Sequence, residues 1–309
     1  MILCIGTTPA VQRVMVFPRL TLDAVNRAQA THEGAAGKSI NVVKVLKALG
    51  EQPLATGFLG GDRGEFLLGV LQARGIQTDF VSVLERTREC ITVIDSETNR
   101  ITELVEESRA VAPEAYEQLM GVVRRRLEGC RAVVMSGTIT SGGPPDLYRR
   151  CADFAQANRT LTVVDAQGPA LLEALRARPG LVKPNRAELA ATAGRELQGE
   201  PALMAAMREL HERGAQRVVV TAGKEPALAF DGRGFWRVAP PHIAAVNPIG
   251  SGDAFTAALT WRLLRGDDLG EACRWGAACG AANALTLMPG DLQITDVQRL
   301  AGSVALERL

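Results

Sequence analysis

Short apolar runs alternate with helical stretches along most of this chain, and that alternation limits the fold more than any other feature. Ile2-Leu3-Cys4-Ile5-Gly6, Leu54 to Gly60, Ala132 to Gly137, Leu161 to Ala166, Leu181 to Asn185 and Arg217 to Gly223 each read as a strand rich in apolar residues. A strand with one wet face alternates polar and apolar residues; a strand buried on both faces does not. The text between them carries apolar residues at helical spacing: Val42, Val45, Leu46 and Leu49; Phe66, Leu67, Val70 and Leu71; Leu203, Met207 and Leu210. Further helices are expected from Pro113 to near Gly129 and from Asp146 to Asn158. The class that follows is α/β, with a mostly parallel central sheet and helices on both faces.

Two regions break the pattern. Arg13 to Ala30 alternates loosely, contains Pro18 and shows no helical stripe. Phe80 to Leu84, Cys90 to Asp95 and Arg100 to Val105 read as short strands joined by polar turns. Together these are expected to form a small second sheet, drawn from about 12–30 and 88–108. No repeat, low-complexity tract or linker divides the chain, so residues 1–309 are read as one domain.

Composition excludes several functions. Net charge is +1 with both signs dispersed, which leaves no footprint for nucleic acid or an anionic membrane. The six cysteines are scattered without a Cys-x-x-Cys pair, and the three histidines have no ligand spacing. A disulfide framework and a zinc site are therefore not expected, and the chain reads as reduced and cytoplasmic. Residues 1–20 lack the pattern of a signal peptide, and no apolar run is long enough to span a membrane.

The stretch Val246-Asn247-Pro248-Ile249-Gly250-Ser251-Gly252-Asp253 turns tightly and then enters an Ala-rich helical run. A glycine turn feeding a helix leaves unpaired N–H groups at the positive end of the helix dipole, an anion site. Asp253 sits at the same place, and the dipole is expected to keep it ionised near neutral pH. A carboxylate beside an anion hole suits proton removal from an alcohol while phosphoryl charge is held. The plain alternative is a loop whose aspartate caps a helix.

Lys183-Pro184-Asn185-Arg186-Ala187-Glu188-Leu189 lies where a strand meets a helix. Asn185 and Glu188, three apart, either face one ligand or form a capping box. Thr221-Ala222-Gly223-Lys224 ends another strand. Gly34-Ala35-Ala36-Gly37-Lys38-Ser39-Ile40-Asn41 suggests a phosphate-binding loop through its Gly-Lys-Ser. That motif needs a glycine five positions before Gly37, where His32 stands.

These segments resemble the PfkB (ribokinase-like) carbohydrate kinases. Gly250 to Asp253 is similar to the family's Gly-Ala-Gly-Asp, with Ser251 for Ala. Lys183 to Leu189 matches Lys-Pro-Asn-x-x-Glu-Leu at every fixed position. Ala36 to Asn41 resembles the Gly-Gly-Lys-Gly-x-Asn of the phosphofructokinase branch, with Ala36 and Ser39 replacing glycines. The resemblance covers residues 1 to about 300. It implies a three-layer ribokinase-like fold with a β-sheet lid. It makes Asp253 the catalytic base, with the amides of Gly250, Ser251 and Gly252 as anion hole. Lys183, Asn185, Thr221, Gly223 and Asn283 would serve ATP, and Glu188 would act on Mg²⁺ through water. Gly37, Lys38, Asn41 and Thr138 would bind the sugar, and Arg27 and Arg88 a phosphate already on it. Gln12 stands where the family usually has an aspartate for the sugar hydroxyls, so that charge is gone.

The expected activity is ATP-dependent phosphorylation of a ketohexose phosphate, as in the 1-phosphofructokinase and tagatose-6-phosphate kinase branch. A 6-phosphofructokinase, a kinase for an unphosphorylated sugar and a sugar sensor without catalysis stand as alternatives. The small sheet, too apolar on one face for a flap in water, implies a homodimer through the lid.

Overall fold

The computed structural model describes residues 1–309. Its first strand, β1 (Ile2–Gly6), is buried from end to end, because it pairs in parallel on both edges. That is why the run has no polar alternation. Its side chains still alternate in direction. Ile2 and Cys4 enter one apolar cluster, Leu3 and Ile5 a second on the other side of the sheet. Each such fully buried Leu or Ile stabilises the fold by about 1.5–3 kcal/mol.

The other strands are β2 (Ala10–Phe17), β3 (Ala30–Ala36), β4 (Pro53–Leu59), β5 (Gln77–Thr78), β6 (Val81–Ser82), β7 (Arg88–Asp95), β8 (Arg100–Val105), β9 (Ala132–Ser136), β10 (Leu161–Asp165), β11 (Leu181–Val182), β12 (Val218–Ala222), β13 (Glu225–Phe230), β14 (Phe235–Ala239) and β15 (Ala305–Arg308). The helices are α1 (Lys38–Ala48), α2 (Gly61–Ala73), α3 (Pro113–Leu127), α4 (Leu147–Ala157), α5 (Gly168–Leu175), α6 (Arg186–Ala193), α7 (Gly199–Glu212), α8 (Ser251–Leu263), α9 (Leu269–Ala284) and α10 (Ile294–Ala301).

The main sheet runs in the order β15-β14-β13-β12-β11-β10-β9-β1-β4-β5, and β6 also pairs with β4. It is parallel from β12 through β4 to β5 and β6, and antiparallel across β12 to β15. One apolar cluster joins it to α1, α2, α8, α9 and α10; the other joins it to α3, α4, α5, α6 and α7. This is the expected mostly parallel sheet between two helical layers. No helix is long and apolar enough to cross a membrane, and all six cysteines are buried and unpaired.

The second sheet has the order β3-β2-β7-β8, with β2 and β7 parallel and the outer pairs antiparallel. Its make-up differs from the sequence reading. Residues 18–29 form a loop, not a strand, and β3 comes from Ala30–Ala36, whose last residues, Gly34 to Ala36, read in the sequence as part of the Gly-Lys loop. Val81–Ser82 extends the main sheet against Phe58 and Leu59 instead of joining the small one. A two-residue strand on the end of a buried one carries too few residues for its alternation to show. The β13–β14 hairpin was unread, although Asp231-Gly232 lies in the turn between its strands.

Candidate active site

Strand ends and helix starts converge at the carboxyl ends of the central strands, as ligand sites do in open α/β folds. Asp165 ends β10, Lys183 follows β11 and Thr221 lies in β12. Opposite them begin α1 at Lys38, α6 at Arg186 and α8 at Ser251.

Gly250 caps α8 with φ +83, a left-handed conformation that L side chains rarely adopt. A Cβ there would also meet Pro289 at 2.8 Å. The turn is held from behind. Asn283 donates to the Ile249 carbonyl at 2.8 Å and accepts from Gly290 N–H at 2.7 Å, while Asn247 donates to the Leu287 carbonyl at 2.8 Å. Ser251 N–H donates to Pro248 and Ala254 N–H to Gly250; the N–H groups of Gly252 and Asp253 between them have no backbone acceptor. Of the three amides expected to hold an anion, that of Ser251 is therefore taken by Pro248, while those of Gly250 and Gly252 have no backbone acceptor and that of Asp253 joins them; unpaired N–H groups at a helix start favour an anion.

Asp253 is buried, and Asn41 of α1 donates to its Oδ2 at 2.7 Å. The expectation that the dipole keeps it ionised needs correction. Burial, and next the nearby charge of Asp165, push its carboxyl up to about 7; Lys38, the Asn41 bond and Lys183 pull the other way. The dipole is a local effect worth about a kcal/mol or less, and desolvation of a buried carboxylate outweighs it.

Lys38 is not in a loop but at the first position of α1, after Gly37, whose φ of +101 and closeness to Pro9 exclude a side chain. Its ammonium lies 2.7 Å from Glu188 Oε1 and 3.3 Å from Asp165 Oδ1. Burial works against its charge, but Asp165, Glu188 and Asp253 outweigh it and raise its pKa. Asp165 is fully buried; Lys183 lies 3.1 Å from its Oδ2 and Thr256 donates to the same atom at 2.7 Å. Burial alone would raise its pKa, but Lys183 and Lys38 hold it below the ordinary carboxylate value.

Asn185 and Glu188 do form the capping box. Glu188 N–H donates to Asn185 Oδ1, and Asn185 N–H to Glu188 Oε2, both at 2.8 Å. The same Glu188 carboxylate faces Lys38 with its other oxygen, so capping and site membership coexist. Thr221 bridges to Asn185 across the sheet end, and around the exposed Gly223 there is open space.

The sugar-side candidates are spread more widely. Arg88, first residue of β7, donates to the Thr8 carbonyl at 3.1 and 3.2 Å and to the Glu106 carbonyl at 3.4 Å, with no carboxylate partner. Gln12 is buried in β2 and donates to Thr92 at 2.9 Å within the lid. Thr138 is exposed, and its carbonyl accepts from the Thr7 and Thr8 hydroxyls. Arg27 was expected in an edge strand; it lies exposed in the loop between β2 and β3. Asn283 was expected to serve ATP directly. Its side chain is fully buried and committed to Ile249 and Gly290, so it acts by holding the Gly250 turn.

Three participants were missed. Asp165 and Thr256 complete the charged cluster. Lys44, buried in α1, pairs with Asp291 at 2.9 Å and donates to the Ala35 and Pro289 carbonyls, tying α1 to the turn behind Gly250. Asp165 was findable: a carboxylate closing an apolar run sits where a parallel sheet presents its ligand site.

The family model of the pfkB carbohydrate kinases matches residues 1–291. The chain belongs to that family. Like its members, this pfkB kinase is a phosphotransferase with an alcohol acceptor. Similar solved structures include phosphofructokinase-2 from Escherichia coli in complex with potassium, 28% identical over 97% of this chain and 98% of that one, with a TM-score of 0.89. The same enzyme in complex with fructose-6-phosphate is 27% identical over the same shares, with a TM-score of 0.86. A Thermotoga maritima protein described as a possible 1-phosphofructokinase superposes with a TM-score of 0.92 over 100% and 99% of the two chains; at 24% identity that likeness shows the fold.

Proposed function

We propose that this pfkB kinase transfers the γ-phosphoryl group of ATP to a hydroxyl of a ketohexose phosphate, with Asp253 as general base. The observation that carries the reading is the joint placement of a buried carboxyl poised near neutral pH and the open N–H groups of Gly252 and Asp253. The substrate hydroxyl gives its proton to Asp253 as its oxygen bonds to the γ-phosphorus. The bond to the β–γ bridging oxygen breaks, ADP leaves, and Asp253 returns the proton to water. The base works ionised, so kcat/KM is expected to fall below about pH 7. The buried Oδ1 of Asn41 has no partner and suits a substrate hydroxyl.

The donors fit magnesium but not a caged metal. No group of three His, Cys, Asp or Glu side chains is placed to hold a metal ion among them. One carboxylate, Glu188, partly occupied by Lys38, suits an ion that keeps most of its waters. Bound there, Mg²⁺ would offset phosphate charge. Arg88, free of any carboxylate, suits a phosphate on the sugar, a reading the fructose-6-phosphate complex of the E. coli relative supports. The unphosphorylated-sugar reading keeps one observation in its favour: Arg27 is exposed and Lys38 is already paired, leaving Arg88 as the free cation. Leu22, Val25, Leu104 and Val105 expose apolar side chains on the lid strands and their connecting loop, which favours pairing with a second copy. The deciding experiment is ADP release measured across fructose 1-phosphate, fructose 6-phosphate, tagatose 6-phosphate and free hexoses. Preference for a free hexose would remove the phosphate-site assignment.

A further inference from the structure

The buried cluster beneath the Gly250 turn holds the carboxylates of Asp165, Asp253 and Glu188 and the ammonium groups of Lys38 and Lys183. Acids outnumber bases by one. Both lysines are taken by other carboxylates: Lys183 by Asp165, and Lys38 by Asp165 and Glu188. Asp253 is left with an uncharged partner, the Asn41 amide. A carboxylate paired directly with an ammonium group loses about 1–3 pH units of basicity. A base that must take an alcohol proton is better without such a pair.

Asp165 is built for this division. It is fully buried at the end of β10, and its two oxygens face different lysines, from α1 and from the end of β11. Thr256, one helical turn beyond Asp253 on α8, fixes Oδ2 at 2.7 Å. We infer that Asp165 is a positioning residue that holds Lys38 and Lys183 off Asp253 and so sets the strength of the base. The inference rests on Asp253 being that base. The charged and polar groups facing Asp253 are Asp165 from β10, Lys38 and Asn41 from α1, and Lys183 from the end of β11.

The test replaces Asp165→Asn and Lys183→Met in the full chain. With Asp165 neutral, its own repulsion of Asp253 is lost, both lysines lose a partner, and their charge falls on Asp253. The acid limb of kcat/KM is expected to move down by about one pH unit or more. The rate at pH 8 should fall about tenfold or more, since a weaker base removes the proton less well. Lys183→Met removes a cation and keeps Asp165, so its limb should move up. The ionisation of Asp253 is read independently of turnover by difference infrared spectroscopy of the ligand-free protein, its carboxyl band identified by loss in Asp253→Asn. That midpoint should move with the limb, in opposite directions for the two variants. A merely structural Asp165 would lower the melting temperature and leave the midpoint in place, and that result overturns the inference. If Asp165→Asn fails to fold, an unmoved midpoint in Lys183→Met overturns it equally. Retained turnover in Asp253→Asn would instead strike at the base assignment, leaving the infrared midpoints to judge the role of Asp165.

Discussion

Replacing Asp253→Asn should stabilise this protein while silencing it, and pH separates the two effects. Asp253 is raised from an ordinary 3.8 to about 7, chiefly by burial and then by Asp165. Between about pH 4 and pH 7 the folded chain therefore holds a proton on this group that the unfolded chain has released. Stability contributed by a raised acid is present below the unfolded value and is lost as pH rises through the folded one. The slope is about −1.4 kcal/mol per pH unit, up to about 4 kcal/mol across the window. Asparagine is neutral throughout and nearly the same shape, and its carbonyl can still accept from Asn41. Wild type and variant should therefore melt alike at about pH 4 and separate progressively as pH rises above it. At pH 8 the variant should melt about 5 °C or more above wild type, taking about 2 °C per kcal/mol for a large domain. Turnover at pH 8 should drop by about 10²–10⁴-fold, the usual share of a general base. Thermal melts from about pH 4 to pH 8 decide the matter. Parallel profiles would show that Asp253 ionises normally and that the desolvation argument is wrong.

Other outcomes follow from neighbouring residues. Glu188→Gln keeps a side chain able to complete the capping box with Asn185, so melting should hardly change while the Mg²⁺ concentration for half activity rises; an unchanged Mg²⁺ titration would confine Glu188 to capping. Arg88→Ala should raise KM for a sugar phosphate roughly ten- to hundredfold, equivalent to about 1.5–3 kcal/mol, with KM for ATP within a small factor; equal losses for both substrates would argue against a sugar-phosphate contact. Light scattering at micromolar concentration should show a dimer, and Leu104→Asp, at an apolar side chain 54% exposed on β8, should yield a monomer; a monomeric wild type would refute lid pairing.

The main sheet was legible because burial on both faces leaves a plain mark, an apolar run without alternation. Ile2–Gly6, Ala132–Ser136 and Val218–Ala222 all carry it. The lid was harder to read. Ala30–Ala36 reads Ala-Thr-His-Glu-Gly-Ala-Ala, and its strand character comes from pairing with β2 rather than from propensity. Tertiary pairing overrides local preference in such edge segments. The expectation of a loop before Asn41 failed for a related reason: a Gly at φ +101 lets α1 start at Lys38, a whole turn before the apolar stripe becomes visible.

The members of the charged cluster can be picked out of the sequence one by one, but not as a set of charges. Motif spacing picks out Lys38, Lys183, Glu188 and Asp253 separately. Nothing in that spacing says that Lys38 spans Glu188 and Asp165, positions 150 and 127 residues away. Those distances in the fold decide which carboxylate keeps its charge. Asp165, with two ammonium groups and a hydroxyl, stays ionised although buried. Asp253, at the better position by the dipole argument, does not fully ionise near neutral pH. A helix terminus is a local property and can be read from a chain; the ionisation of a buried group is a sum over everything packed against it. For a phosphoryl-transfer base the outcome is useful chemistry. A carboxyl that half-ionises near neutral pH accepts an alcohol proton more readily than one held ionised by a salt bridge, and releases it again without a strongly basic intermediate.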